Sequence, residues 1–75
     1  MHSLIEANPS VMLGKPVVAG TRITVEFILE RLAAGESMQS LVESHPRLTL
    51  PAIFAALSYS AAVLRNDIFY PLDAA

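Results

Sequence analysis

Residues 20–35 read GTRITVEFILERLAAG, and the way this stretch opens and closes decides the fold. Thr24 carries a hydroxyl that can accept from a free amide in the first turn of a helix. Ile23, just before that cap, and Ile28, four residues into the helix, occupy the two positions of a hydrophobic staple. Glu26 lies in the first turn, where a negative charge suits the helix dipole. Val25, Ile28, Leu29 and Leu32 follow the i, i+3, i+4, i+7 spacing of one helical face. Gly35 supplies the left-handed residue that ends such a helix. A helix therefore starts after Thr24 and stops at Gly35.

Upstream of it the chain reads as short extended pieces. Ala19-Gly20 lies between Val17-Val18 and Thr21-Arg22-Ile23, and suits a type II turn, which needs positive φ at its third position. A type I′ hairpin would also force positive φ on Ala19. Lys15 precedes Pro16, which extends its backbone, so Gly14-Lys15-Pro16 is a break. SLIEANP, residues 3–9, predicts a short strand ended by Asn8-Pro9.

Downstream, Ser37 caps a second, short helix with Met38, Leu41 and Val42 on one face. HPRLT, residues 45–49, breaks it. Thr49 caps a third helix, with Leu48 and Ile53 as a second staple and Pro51 tolerated in the first turn. Leu50, Ile53, Phe54, Leu57, Ala61 and Leu64 form its main apolar stripe. The reading is a single domain over 1–75, mainly α: extended strands and a turn over 1–23, a three-helix core over 24–66, and a C-terminal tail over 67–75. Helices two and three are joined by a few residues, as in a helix-turn-helix.

Composition narrows the functions. A 75-residue chain buries only about 60–65% of its unfolded surface. Yet 53% of its residues are hydrophobic and the mean hydropathy is +0.49, so part of the apolar surface is expected to meet another chain. No cysteine is present, which removes disulfides, thiolate catalysis and cysteine zinc sites. The net charge of −2 offers no broad attraction to a phosphate backbone. The N-terminus lacks a basic region followed by an apolar core, and the charge-free run Leu48–Leu64 is short for a membrane span. A cytoplasmic protein is expected.

No motif assembles a catalytic centre. Lys15 is followed by Pro16 and no glycine stands five residues before Gly14, so a phosphate-binding P-loop fails. Gly14, Pro16, Gly20, Thr21 and Arg22 read instead as a structural motif that delivers the chain into helix one. Arg22 is expected on Glu26, Glu30 or backbone carbonyls, with a DNA phosphate as the functional alternative. Glu26 and Glu30, four apart, read as a solvated face. His2 and His45 lack any H-E-x-x-H context. No cofactor or metal and no enzymatic activity are expected.

The third helix carries the most information. Away from its main stripe it presents Ala52, Ala55, Ala56, Ser58, Tyr59, Ser60, Ala62 and Val63, with no charge before Arg65. A DNA-reading helix offers polar or basic side chains to base edges; here Arg47 and Thr49 at the start are the candidate phosphate contacts. Small residues let another chain approach closely, so Ala52, Ala55, Ala56, Tyr59, Ala62 and Val63 are the candidate protein interface.

Taken in order, Pro9, G-x-P at Gly14–Pro16, G-T-R at Gly20–Arg22, A-A-G at Ala33–Gly35 and P-x-L-T at Pro46–Thr49 resemble a family of small prokaryotic proteins, domain of unknown function 433. The resemblance runs from about Asn8 to Tyr59. It implies a helix-turn-helix-like fold, of the homeodomain or winged-helix kind. It also implies an antitoxin-like role, often beside a PIN-like ribonuclease toxin. Two functions are carried forward. One is an antitoxin-like module of a type II toxin–antitoxin system, self-associated at least as a homodimer, that neutralises a PIN-like partner by protein contact. The other is a dimeric helix-turn-helix transcriptional regulator. The five basic residues, Lys15, Arg22, Arg31, Arg47 and Arg65, are scattered, which favours the first.

Overall fold

A computed structural model describes residues 4–66; the expected tail, 67–75, and His2 lie outside the described residues. The chain runs through β1 (Ile5–Glu6), a short 3-10 turn (Met12–Gly14), β2 (Val17–Val18), α1 (Val25–Ala33), α2 (Met38–Ser44) and α3 (Leu50–Asn66). It is mainly helical: three helices with a small two-stranded antiparallel sheet at the N-terminal side. Ile5 pairs with Val18 and Glu6 with Val17.

The three helix starts form as their side chains dictate. The Oγ1 of Thr24 accepts from the Phe27 amide at 2.9 Å, the Oγ of Ser37 from Ser40 at 3.0 Å, and the Oγ1 of Thr49 from Ala52 at 3.2 Å. Each satisfies one amide that the helix itself cannot. The end of α1 is a Schellman motif around Gly35, at φ +96°. The Glu36 amide donates to Arg31 O at 3.1 Å and the Gly35 amide to Leu32 O at 3.0 Å, the paired bonds of that motif.

The Gly20 turn is also as read. Gly20 has φ +77°, and the Thr21 amide closes the turn on Val18 O at 3.0 Å. Thr21 Oγ1 donates to the same carbonyl at 2.8 Å and accepts from the Ile23 amide at 3.0 Å. Arg47 then pins the turn from a distance in sequence, donating from its guanidinium to Gly20 O at 2.8 Å. β2, which leads into this turn, is buried at both Val17 and Val18.

A different stretch departs from expectation. Met12 (φ 49°) and Leu13 (φ 59°) both adopt left-handed backbone ahead of Gly14 (φ 85°). A left-handed conformation costs an L-residue roughly 1–2 kcal/mol, so no propensity rule places leucine there. The Leu13 side chain stands 94% exposed.

The core comprises Val18, Val25, Ile28, Leu41, Leu48, Ala52, Ile53 and Ala56. The staple positions all face inward: Leu48, Ile53 and Ile28 are buried, and Ile23 packs half-buried against the same core. The reading of α3 needs correction. Of its expected main stripe only Ile53 is fully inside; Leu50, Phe54, Ala61 and Leu64 are exposed. Ala52 and Ala56, assigned above to a protein interface, are buried in the chain's own core. The reason is steric. α3 packs against α1, α2 and β1, and Val25, Ile28 and Leu41 of the two helices, with Val18 of β2, supply the bulk of the shared core. Alanines on α3 let those neighbours approach to van der Waals distance, which leucine and phenylalanine would prevent.

Candidate protein-docking surfaces

Among the described residues two apolar surfaces stand out. The first is the outer face of α3. Phe54 is 55% exposed, Leu64 61% and Leu50 41%, Ala61 is exposed and Leu57 half-buried between them. No charged residue lies along α3 before Arg65. Of the expected interface residues, Val63 is exposed and Ala55, Tyr59 and Ala62 are half-buried. The exposed apolar surface of this helix is thus mainly its large-residue face, not the small one.

The second is a groove floored by Pro16 and Leu29, which connect two depressions. One, about 420 Å³, is lined by Lys15, Val25, Glu26 and Glu30; the other, about 290 Å³, by Tyr59, Ser60, Val63 and Leu64. Glu26 pairs with Lys15 at 3.0 Å, both side chains more than half exposed. An ion pair so wet contributes little to stability and opens at little cost. Glu30 is exposed and has no ion-pair partner among the described residues. The groove therefore joins an apolar floor to a carboxylate rim. Glu26 and Glu30 with Leu29 between them were visible in the sequence; that Pro16 lies against the same floor was not.

The expected nucleic-acid contacts fare differently. Thr49 spends its hydroxyl on the α3 cap and Arg47 on Gly20. Arg31 donates to Glu36 at 2.7 Å. This bond and one from Ser40 hold the Glu36 carboxyl below the usual glutamate range. Among the described residues Arg22 makes none of its expected contacts with Glu26, Glu30 or backbone carbonyls. It is exposed and lines a hollow of about 310 Å³ with Met12, Ile23, Thr24, Phe27 and His45. His45 has a packing role there: its ring and that of Phe27 meet in a T-shaped arrangement at 85°, with centroids 5.3 Å apart. Among the described residues no cluster of histidine, aspartate or glutamate could hold a metal ion, and no helix is long and apolar enough to cross a membrane.

Comparison with known proteins agrees with this fold. The crystal structure of a DUF433 member protein from Anabaena variabilis superposes with a TM-score of 0.78 at 26% identity, covering 83% of this chain and 61% of that one. An uncharacterized protein, y4eO, of Sinorhizobium fredii is 34% identical over 61 residues; these make up 81% of this chain but only 28% of that protein. The chain thus spans about a quarter of its curated relative's length and under two thirds of the solved one's. The family model "Protein of unknown function (DUF433)" matches residues 5–60, and this chain belongs to the DUF433 family.

Proposed function

We propose that this chain is an antitoxin-like protein-binding module, acting in the cytoplasm, that neutralises a PIN-like ribonuclease by direct contact. The observation that carries the reading is the groove over Pro16 and Leu29 with Glu26 and Glu30 on its rim. It suits a partner segment that seats an apolar side chain on the floor and brings a lysine or arginine to the carboxylates. Burial of the apolar side chain supplies affinity, and the rim charges steer encounter with a basic partner.

The regulator alternative lacks the chemistry for base readout. The first turn of α3 holds Leu50, Pro51, Ala52 and Ile53, none of which can hydrogen-bond a base edge from its side chain. Three of the five basic residues already have partners within the chain.

Inhibition of RNA cleavage tests the proposal. The full chain is titrated into a purified PIN-like ribonuclease from the same organism, with cleavage of a labelled RNA as the readout. Wild-type chain suppresses cleavage at near-equimolar ratio. Glu30→Lys, which reverses one rim charge without touching the core, weakens suppression about tenfold or more, as a lost charge pair in an interface does. Cleavage unaffected by the wild-type chain overturns the reading. A nanomolar, sequence-specific DNA shift by the chain alone, the range of sequence-specific regulators, replaces it with the regulator.

A further inference from the structure

We propose that two copies of this chain pair antiparallel along α3, through Leu50, Phe54, Leu57, Ala61 and Leu64. The inference uses the outer face of α3 and does not depend on the toxin reading.

The spacing is the first argument. These five positions are separated by four, three, four and three residues. That alternation is the a/d seam of a heptad repeat, whose side chains interdigitate with another helix. The chain's own core draws mainly on a different stripe of the same helix, through Ala52, Ile53 and Ala56; of the seam, Leu57 is half-buried and also packs against that core, while Leu50, Phe54, Ala61 and Leu64 stay exposed. It runs nearly the whole of the 17-residue α3, a length of roughly 25 Å.

Area sets the strength. At their exposures, Leu50, Phe54 and Leu64 leave on the order of 300 Å² of side chain uncovered per copy, judged against the 150–250 Å² an aromatic buries. Two copies with flanking residues then bury roughly 600–1,000 Å², the low end of specific interfaces. An interface of that size belongs with weak, transient pairings. Charge does not oppose it, because the seam carries none.

Volume and charge fix the direction. With the two-fold axis at Leu57, the middle of the five, an antiparallel pair sets Phe54 against the partner's Ala61, large against small, at both symmetric places. Leu50 then meets the partner's Leu64. A parallel pair would crowd two phenylalanines at one level and leave a void between two alanines at another, both of which weaken packing. It would also bring two Arg65 side chains together, whereas the antiparallel pair separates them and opposes the helix dipoles.

Sedimentation equilibrium of the full chain, from roughly 1 to 300 µM to bracket a micromolar Kd, reads the association. Wild type shifts from monomer to dimer across that range. Phe54→Glu and, as a second variant at a small exposed site, Ala61→Glu stay monomeric. Because the chain has no cysteine, single-cysteine variants read the direction by oxidative cross-linking. Leu57→Cys cross-links with itself. Leu50→Cys cross-links with Leu64→Cys in a mixture and not with itself. Monomeric wild type throughout, or a dimer that survives both glutamates, overturns the pairing; self-linking of Leu50→Cys overturns the antiparallel arrangement.

Discussion

The two apolar faces of α3 are made of different residues and meet different fates. The inner face is Ala52, Ile53 and Ala56, all buried; the outer is Leu50, Phe54 and Leu64, all exposed, though far more hydrophobic in sum. Hydrophobicity alone would bury the outer face. What decides is fit. The inner face is low enough for α1, α2 and the β1–β2 hairpin to close on it, and the bulk comes from their side chains. The outer face finds no element of this chain to cover it among the described residues.

Adding bulk to the inner face breaks this arrangement most severely. Ala56→Leu places three extra carbons where there is no exposed surface, and a destabilisation of about 1–3 kcal/mol is expected from overpacking. Chemical denaturation measures it. An unchanged midpoint would mean that the inner face is not closely packed.

The Gly20 turn sharpens the same point from the opposite wall, since it follows Val18, which is buried in the core shared with α3. Gly20→Val should cost about 1–2 kcal/mol through positive φ. An added Cβ meets only the Arg47 guanidinium at 3.8 Å, an ordinary contact, so the loss is backbone strain rather than collision. A melting temperature equal to wild type would remove this account.

The smallest effect separates the helix faces from the α1–α2 junction. Arg31 and Ser40 donate to the Glu36 carboxylate and depress its pKa in the folded state. A depressed carboxylate stabilises the fold above its ordinary pKa, and that contribution fades as pH falls through the depressed value. Below the usual glutamate range the junction should loosen slightly while α3 is unaffected. An NMR titration of the Glu36 carboxyl should show a midpoint below that range, moved upward by Arg31→Ala. A midpoint indifferent to that substitution contradicts the assignment.

Much of this was legible in the chain itself. Thr24, Ser37 and Thr49 announce helix starts through a hydroxyl followed by an apolar periodic run, and Gly20 and Gly35 announce positive φ because only glycine takes it freely. These are local rules, and they hold locally. The strand pairing of Ile5 with Val18 and the anchoring of Gly20 by Arg47 are contacts between distant segments, which no spacing reveals. The left-handed Leu13 runs against its own propensity. The assignment of α3 faces failed for a related reason: periodicity finds two apolar stripes on this helix, but only the shape of the neighbours selects the one they bury.

The claim that the large face of α3 is spare, and serves a second chain, is tested most directly by thermal melting at several protein concentrations. For a dimer through this face, the wild-type melting temperature rises with concentration, because association stabilises the folded chain. Phe54→Glu should melt at one temperature throughout, equal to wild type at its most dilute. A wild-type melting temperature independent of concentration, together with a Phe54→Glu protein that unfolds even when dilute, would show that Phe54 belongs to the core and contradict the account.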